Sequence, residues 1–224
     1  MVPDGSVPGA FAVVSETSTN GKLQFIYVAN VKNGLTVQSA TNLDTNSFAA
    51  WSAACSNLGV YMVTKILAAT QDLIAQVSFD KGLTFSPAVT VTTGVIGSAL
   101  GLGFTDKFIV MFAAGPVPPD VQGPDLYGMS TNATGTSNWT SAEGLATSIS
   151  QSNSDIVYNI DIFPTEEGEG FTAAFTQQVG STYNIYPLTC QGTTSAPTSA
   201  GSSSVGGGVL LYILCMCFTV FVAL

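Results

Sequence analysis

The chain has no arginine and no histidine, and its only cationic side chains are five lysines, Lys22, Lys32, Lys65, Lys81 and Lys107. Only 8% of its residues are charged, against roughly 25% in an average soluble protein. Each shortage closes a class of function. A net charge of −9 with scattered lysines offers no basic surface to track phosphates, so nucleic acid is not expected as a partner. Without histidine there is no Ser-His-Asp triad and no histidine-ligated metal centre. No cofactor is called for. Low charge does not imply disorder here, because 46% of the 224 residues are hydrophobic and can bury a core.

Charge is missing altogether from Gln191 to Leu224. A small, polar stretch over 191–208 reads as a flexible stalk, and sixteen almost wholly apolar residues, Val209 to Leu224, follow it. As a helix that tail spans about 24 Å, short of the roughly 30 Å hydrocarbon core of a bilayer. No lysine or arginine follows it as a cytoplasmic stop. Small residues, a polar spacer and an apolar end are the layout of a glycosylphosphatidylinositol (GPI) attachment signal, with Ser199, Gly201 and Ser202 as candidate attachment residues. A short retained membrane helix is the alternative, giving a single-pass protein; a buried core helix is the third reading. Either of the first two makes the membrane a partner.

A GPI signal is read in the secretory route, yet Met1–Gly9 holds neither a basic n-region nor an apolar h-region. The expectation is an N-terminally incomplete piece of a secreted protein. Two glycosylation sequons, at Asn132 and Asn138, suit that route. So does the cysteine count: with Cys215 and Cys217 in the tail, Cys55 and Cys190 remain as an ectodomain pair. A disulfide between them and two separately buried thiols are both open.

From 9 to 190 the sequence is short β-runs separated by turns, without helical periodicity. Expected strands are 9–16, 22–29, 35–40, 59–68, 73–79, 99–104, 108–114, 155–163, 171–177 and 183–188. Asn20-Gly21 and Asn33-Gly34 mark hairpin turns, since both positions tolerate positive φ. A repeat runs through these segments. Leu73 to Ser86 aligns with Leu126 to Thr140, and more weakly with Leu35 through Ser39 to Trp51 and Ser52. Its serines, Ser39, Ser78 and Ser130, stand 39 and then 52 residues apart, the longer interval holding a Pro-rich insertion over 115–124. A period of about 40–50 residues of antiparallel strands is the signature of propeller blades.

Ser78-Phe79-Asp80-Lys81-Gly82-Leu83-Thr84-Phe85 resembles the Asp-box (BNR repeat) of sialidase-type β-propellers, with phenylalanine in the slot usually given to tryptophan. The copies at Ser130/Asn132/Gly135/Trp139 and Ser39/Trp51 are degenerate. The resemblance implies an all-β chain with about four visible blades over 1–190, part of a six-bladed sialidase-like propeller, followed by stalk and tail. It also implies that the box is a fold staple on the rim: Asp80 accepts backbone N–H groups, Gly82 supplies positive φ and Phe85 plugs the gap between strands. Recurrence of Trp51, Phe85 and Trp139 points to packing between blades.

Sialidases of that family hold the substrate carboxylate with three arginines, since a bidentate fork suits a carboxylate, and use a tyrosine–glutamate nucleophile. With no arginine in the chain, sialidase chemistry is not expected. Related glycosidases use two carboxylates, for which Asp155 and Asp161 are the least loop-like candidates. Asp155 also reads as a turn residue, and Asp161 faces away from Ile160 and Ile162. Glu166, Glu167 and Glu169 read as a solvated hairpin tip. Tyr127 and Tyr158 suit sugar stacking or, more commonly, sheet packing. No catalytic, cofactor or metal residue is assigned. The expected function is a cell-surface, GPI-anchored glycoprotein module that binds glycans or proteins without catalysis. A carboxylate-dependent glycoside hydrolase, with part of its site in missing N-terminal blades, is the alternative.

Overall fold

Along Tyr61–Leu67 the apolar side chains alternate between two destinations. Tyr61 and Val63 enter one core, while Met62 and Ile66 enter another. Period-2 alternation with Tyr61 to Ile66 all buried means a strand covered on both faces, and that arrangement governs the molecule. In the computed structural model the residues described are 1–17, 22–31, 34–43, 47–95, 99–114, 125–136, 138–141, 143–146, 156–164, 170–179, 181–191 and 215–216. Among them every regular element is a strand and every strand pairing is antiparallel.

The strands form four sheets, each taken up in chain order. The first contains β1 (Val2–Pro3), β2 (Phe11–Glu16), β3 (Leu23–Val31) and β4 (Gly34–Val37), with β5 (Thr41–Asn42) also paired to β3. The second contains β6 (Phe48–Cys55), β7 (Tyr61–Leu67), β8 (Leu73–Ser78) and β9 (Val89–Thr92). The third contains β10 (Leu100–Phe104), β11 (Phe108–Ala114), β12 (Asp125–Thr131) and β13 (Glu143–Ala146). The fourth contains β14 (Ile156–Pro164), β15 (Gly170–Val179), β16 (Thr182–Gln191) and β17 (Cys215–Met216).

Three cores lie between successive sheets. Ala12, Phe25, Tyr27, Tyr61 and Val63 fill the first seam. Met62, Ile66 and Val77 meet Phe108, Val110 and Phe112 in the second. In the third, Ile109, Met111 and Leu126 face Ile160, Ala173, Phe175 and Leu188. β11 therefore divides its side chains between two seams just as β7 does. The second and third sheets are buried on both faces, and the hydrophobic effect stacks them between their neighbours.

The first strands of successive sheets lie together. The Leu102 N–H donates to Ser52 Oγ at 2.9 Å, tying β10 to β6. On the other side of β10, a Cβ at Gly101 would lie 2.5 Å from the Ile160 carbonyl oxygen, and one at Gly103 2.5 Å from Ile162 Cγ2. Glycine at both places lets β10 and β14 approach side by side. The pairing of 101 with 160 and 103 with 162 makes these two strands parallel, so the ends of the third and fourth sheets correspond. We call the end carrying the β6–β7 and β8–β9 turns the lower end.

The expected strands at 9–16, 22–29, 59–68, 73–79, 99–104, 155–163, 171–177 and 183–188 are present with shifts at their ends, and that at 108–114 is present without one. The run expected over 35–40 stops at Val37 and resumes as β5, because β4 pairs with the far end of β3 and β5 with Gln24 and Phe25. β1, β6, β9, β12, β13 and β17 are additional strands. The Ser39–Trp51 copy of the repeat needs correction. The third-to-fourth strand turn of the first sheet lies between Val31 and Gly34, and Ser39 follows it, while Trp51 already belongs to β6 of the next sheet. The tail beyond 191 lies outside the described residues except for Cys215–Met216, which pairs with Thr189 and Cys190. Among the described residues no helix is long and apolar enough to cross a membrane.

Candidate functional site

Ser78, Asp80, Gly82, Thr84 and Phe85 all fall in the turn that links β8 to β9. Asp80 Oδ1 accepts the Ser78 hydroxyl at 2.8 Å and the Thr84 N–H at 2.9 Å, and its Oδ2 accepts the Thr84 hydroxyl at 2.6 Å. Ser78 Oγ in turn accepts the Gly82 N–H at 2.8 Å. Burial pushes the Asp80 carboxyl up, but the bonds from Thr84 and Ser78 outweigh it and hold the group below its ordinary value. Gly82 adopts φ 83°, a left-handed conformation that costs other residues energy. Phe85 packs into the first seam, its ring 5.2 Å from that of Phe25.

The turn between β12 and β13 repeats this arrangement with an amide in place of the carboxylate. Asn132 Oδ1 accepts the Thr136 N–H at 3.1 Å and the Thr134 hydroxyl at 3.0 Å. Gly135 has φ 66°, and the Ser130 N–H donates to Thr140 Oγ1 at 3.0 Å, as the Val77 N–H does to Ser86 Oγ at 3.1 Å. Trp139 packs against the second seam. Phe85 and Trp139 thus each wedge the turn of their own sheet against the preceding one. Trp51 shares the first seam with Phe85 but reaches it from a first strand, so it is not their equivalent.

A second polar cluster closes the lower end of the first seam. Asp4, 7% exposed, accepts at Oδ1 from the Ser6 N–H (2.8 Å), the Ser6 hydroxyl (2.7 Å) and the Val7 N–H (3.1 Å). The Tyr27 hydroxyl, from β3, donates to Asp4 Oδ2 at 2.9 Å. Burial raises the Asp4 carboxyl, and these bonds more than offset that, leaving it below its ordinary value. The Tyr27 phenol is pushed up to about 12 by burial and by its bond to Asp4. Tyr61, fully buried, stands edge-on to both Phe25 and Tyr27. Burial first, and then the neighbouring Cys55 and Asp4, push its phenol up as well. Its Oη has the Cys55 thiol as its polar neighbour, whereas the buried Gln76 Oε1 on β8 makes no hydrogen bond, a cost to folding.

Cys55 is a free thiol, its Sγ 3.4 Å from the Ser56 carbonyl oxygen. Burial raises its pKa, so little reactive thiolate is present near neutrality. Cys190 lies on β16 of the fourth sheet, with its side chain outside the described residues.

Asp161 is exposed on β14. Tyr127 stacks on Phe112 with ring planes 18° apart and packs against the second seam, a sheet-packing role. Asn138 is exposed. Asp155, Glu166, Glu167, Glu169, Ser199, Gly201 and Ser202 lie outside the described residues, as does the side chain of Tyr158. Among the described residues no three His, Cys, Asp or Glu side chains gather as a metal site. Two features escape a sequence reading. The contact between Asp4 and Tyr27 joins positions 23 residues apart, although Asp4-Gly5-Ser6 carries an Asx-turn signal. Lys65 is 1% exposed on β7 opposite Trp51, a burial that its strand pattern does not announce.

No protein-family model matches the chain, and no curated protein matches it. Several solved structures are similar, and two stand as examples. One is the intramolecular trans-sialidase from Ruminococcus gnavus in complex with oseltamivir carboxylate, at 14% identity and TM-score 0.48, over 75% of this chain and 36% of that one. The other is an N-acetylgalactosamine deacetylase from F. plautii in complex with blood group B trisaccharide, at 12% identity and TM-score 0.43, over 82% of this chain and 66% of that one. Neither likeness is strong enough to bear on the chemistry of this chain.

Proposed function

We propose that the chain is a non-catalytic recognition module of the cell surface, made of sialidase-like Asp-box propeller blades and held to the outer membrane face by a GPI anchor. Each sheet is then one blade, and the side-by-side first strands β6, β10 and β14 are the innermost strands. The observation that carries the non-catalytic part is the use made of Asp4 and Asp80. Both oxygens of each accept hydrogen bonds, those of Asp80 from its own turn and those of Asp4 from its own turn and from Tyr27, and each group is held below its ordinary value. A glycosidase acid needs a raised carboxyl within reach of a second carboxylate, so both of these groups serve the fold. The missing arginines remove the usual clamp for a sialoside carboxylate. What remains is a rigid scaffold whose loops are free to recognise a glycan or a protein.

The test is display in eukaryotic cells behind a secretory signal. The chain is expected at the surface, released by phosphatidylinositol-specific phospholipase C, with the released form retained on a printed array of cell-surface glycans and glycoproteins. Resistance to the lipase with an epitope at residue 224 still attached means a retained membrane segment. Release without retention of any array member removes the recognition reading.

A further inference from the structure

Turns are ordinarily polar because they face water, yet two turns of the second sheet present large apolar side chains. Leu58, in the β6–β7 turn, is 62% exposed, and Phe79 and Leu83, in the β8–β9 turn, are 59% and 58% exposed. Tyr61 pairs with Ser78, so these turns sit side by side at the lower end. The cation between the two apolar residues does not interrupt them: Lys81 Nζ turns back over the Tyr27 ring, 5.5 Å from its centroid. Phe79 and Leu83 flank Asp80 in a turn that its hydrogen bonds hold rigid, so the fold itself gives them no interior to fill. Of the other large exposed apolar residues, Phe163 is next to last on β14 and lies toward the same end of the fourth sheet, whereas Leu35, Val37 and Val89 lie on the edge strands β4 and β9, Tyr183 and Ile185 near the start of β16, and Met1 at the start of the chain.

The direction of the strands identifies what lies below. β14 is parallel to β10, which runs toward the lower end as β6 and β8 do. β15 returns, and β16 runs down again to Gln191. Gln191, where the chain passes into the uncharged 192–208 stretch, therefore stands at the end that carries Leu58, Phe79 and Leu83, and Cys215–Met216 of the tail pair beside it with Thr189 and Cys190. We propose that this lower end rests on a lipid bilayer, with Leu58, Phe79 and Leu83 dipping into the headgroup region and the opposite, upper turns facing outward. The occupant is a lipid surface, recognised by apolar insertion. With a net charge of −9, attraction to anionic lipid plays no part, so zwitterionic membranes suffice. The proposal rests on the anchored reading above.

The experiment uses the chain purified with its GPI anchor from eukaryotic cells and reconstituted in phosphatidylcholine vesicles. An environment-sensitive NBD dye is attached through a genetically encoded azide at position 83 or, as the upper-end control, at position 70. The expected result is flotation with the vesicles, blue-shifted emission at 83 that nitroxide lipids quench, and water-like, unquenched emission at 70. L58S/F79S should reduce the blue shift at 83 while the chain still floats. Flotation with water-like emission at both positions overturns the docking face and leaves the anchor standing. A blue shift unchanged in a folded L58S/F79S also overturns it. Failure to float overturns the anchor and the docking face together.

Discussion

Gly82→Ala is expected to destabilise the chain by about 2–4 kcal/mol, the sum of overpacking and a left-handed backbone in a non-glycine residue. The added Cβ would lie 2.0 and 2.1 Å from two ring carbons of Phe25. That ring has nowhere to go: Phe25 is 1% exposed and stands edge-on to Tyr61 at 5.1 Å and to Phe85 at 5.2 Å. The backbone at φ 83° would add its own strain. At about 2–4 °C per kcal/mol for a chain of this size, the melting temperature should fall by roughly 5–15 °C. Gly135→Ala is the internal comparison. Its Cβ would meet Met62 Cε at 2.4 Å and Val77 Cγ1 at 2.7 Å. The methionine end can swing aside, so the loss should be smaller, though φ 66° keeps it above zero. Equal melting temperatures for wild type and Gly82→Ala would mean that the turn does not press on the first sheet.

Acid should unfold the chain through Asp4 and Asp80. Both carboxyls lie below their ordinary value in the folded protein, so the folded state binds fewer protons than the unfolded one. Their stabilisation is complete above the unfolded value, near pH ~4. It is lost as the pH falls through the lower folded values. Urea unfolding from about pH 2 to 6 should therefore give a plateau above pH ~4 and a decline below it. Asp4→Asn should lower the plateau by about 1–3 kcal/mol, since an amide cannot accept both the Ser6 donors and the Tyr27 hydroxyl as a carboxylate does. It should also flatten the acid limb. An acid limb of unchanged steepness in both Asp4→Asn and Asp80→Asn would assign the acid sensitivity to other groups.

The strands legible in the sequence were those whose alternation or turn chemistry is strong. Phe108–Ala114 stands where it was expected because Phe, Ile, Val and Met load both of its faces. Leu73–Ser78 ends at the serine that begins the Asp80 turn. β6 was missed because Phe48-Ala-Ala-Trp-Ser-Ala-Ala-Cys55 is built of alanines, weak strand formers that fit only because a first strand packs closely against its neighbour. β13, Glu143-Gly-Leu-Ala146, is shorter and no stronger as a pattern. β9, Val89-Thr-Val-Thr92, is a β-branched run that did carry a strand signal. The third repeat copy failed for a topological reason: spacing placed Ser39 and Trp51 at blade intervals, but spacing does not say which strand of a sheet a residue occupies. The Asp80 turn could be read because the hydrogen bonds of Asp80 and Ser78 all fall within Ser78–Thr84. The Asp4–Tyr27–Tyr61 cluster could not, since it depends on two sheets meeting.

Recognition without turnover is most directly tested by one hydrolysis measurement. The full chain is incubated, in molar excess, with a panel of fluorogenic glycosides, sialosides included, from about pH 4 to 8. No release of fluorophore above the rate in buffer is expected, because the chain has no arginine and the Asp4 and Asp80 carboxylates are bound into turns. Release that survives repurification and is abolished by Asp161→Asn would contradict the account and make the exposed carboxylate of β14 a catalytic residue.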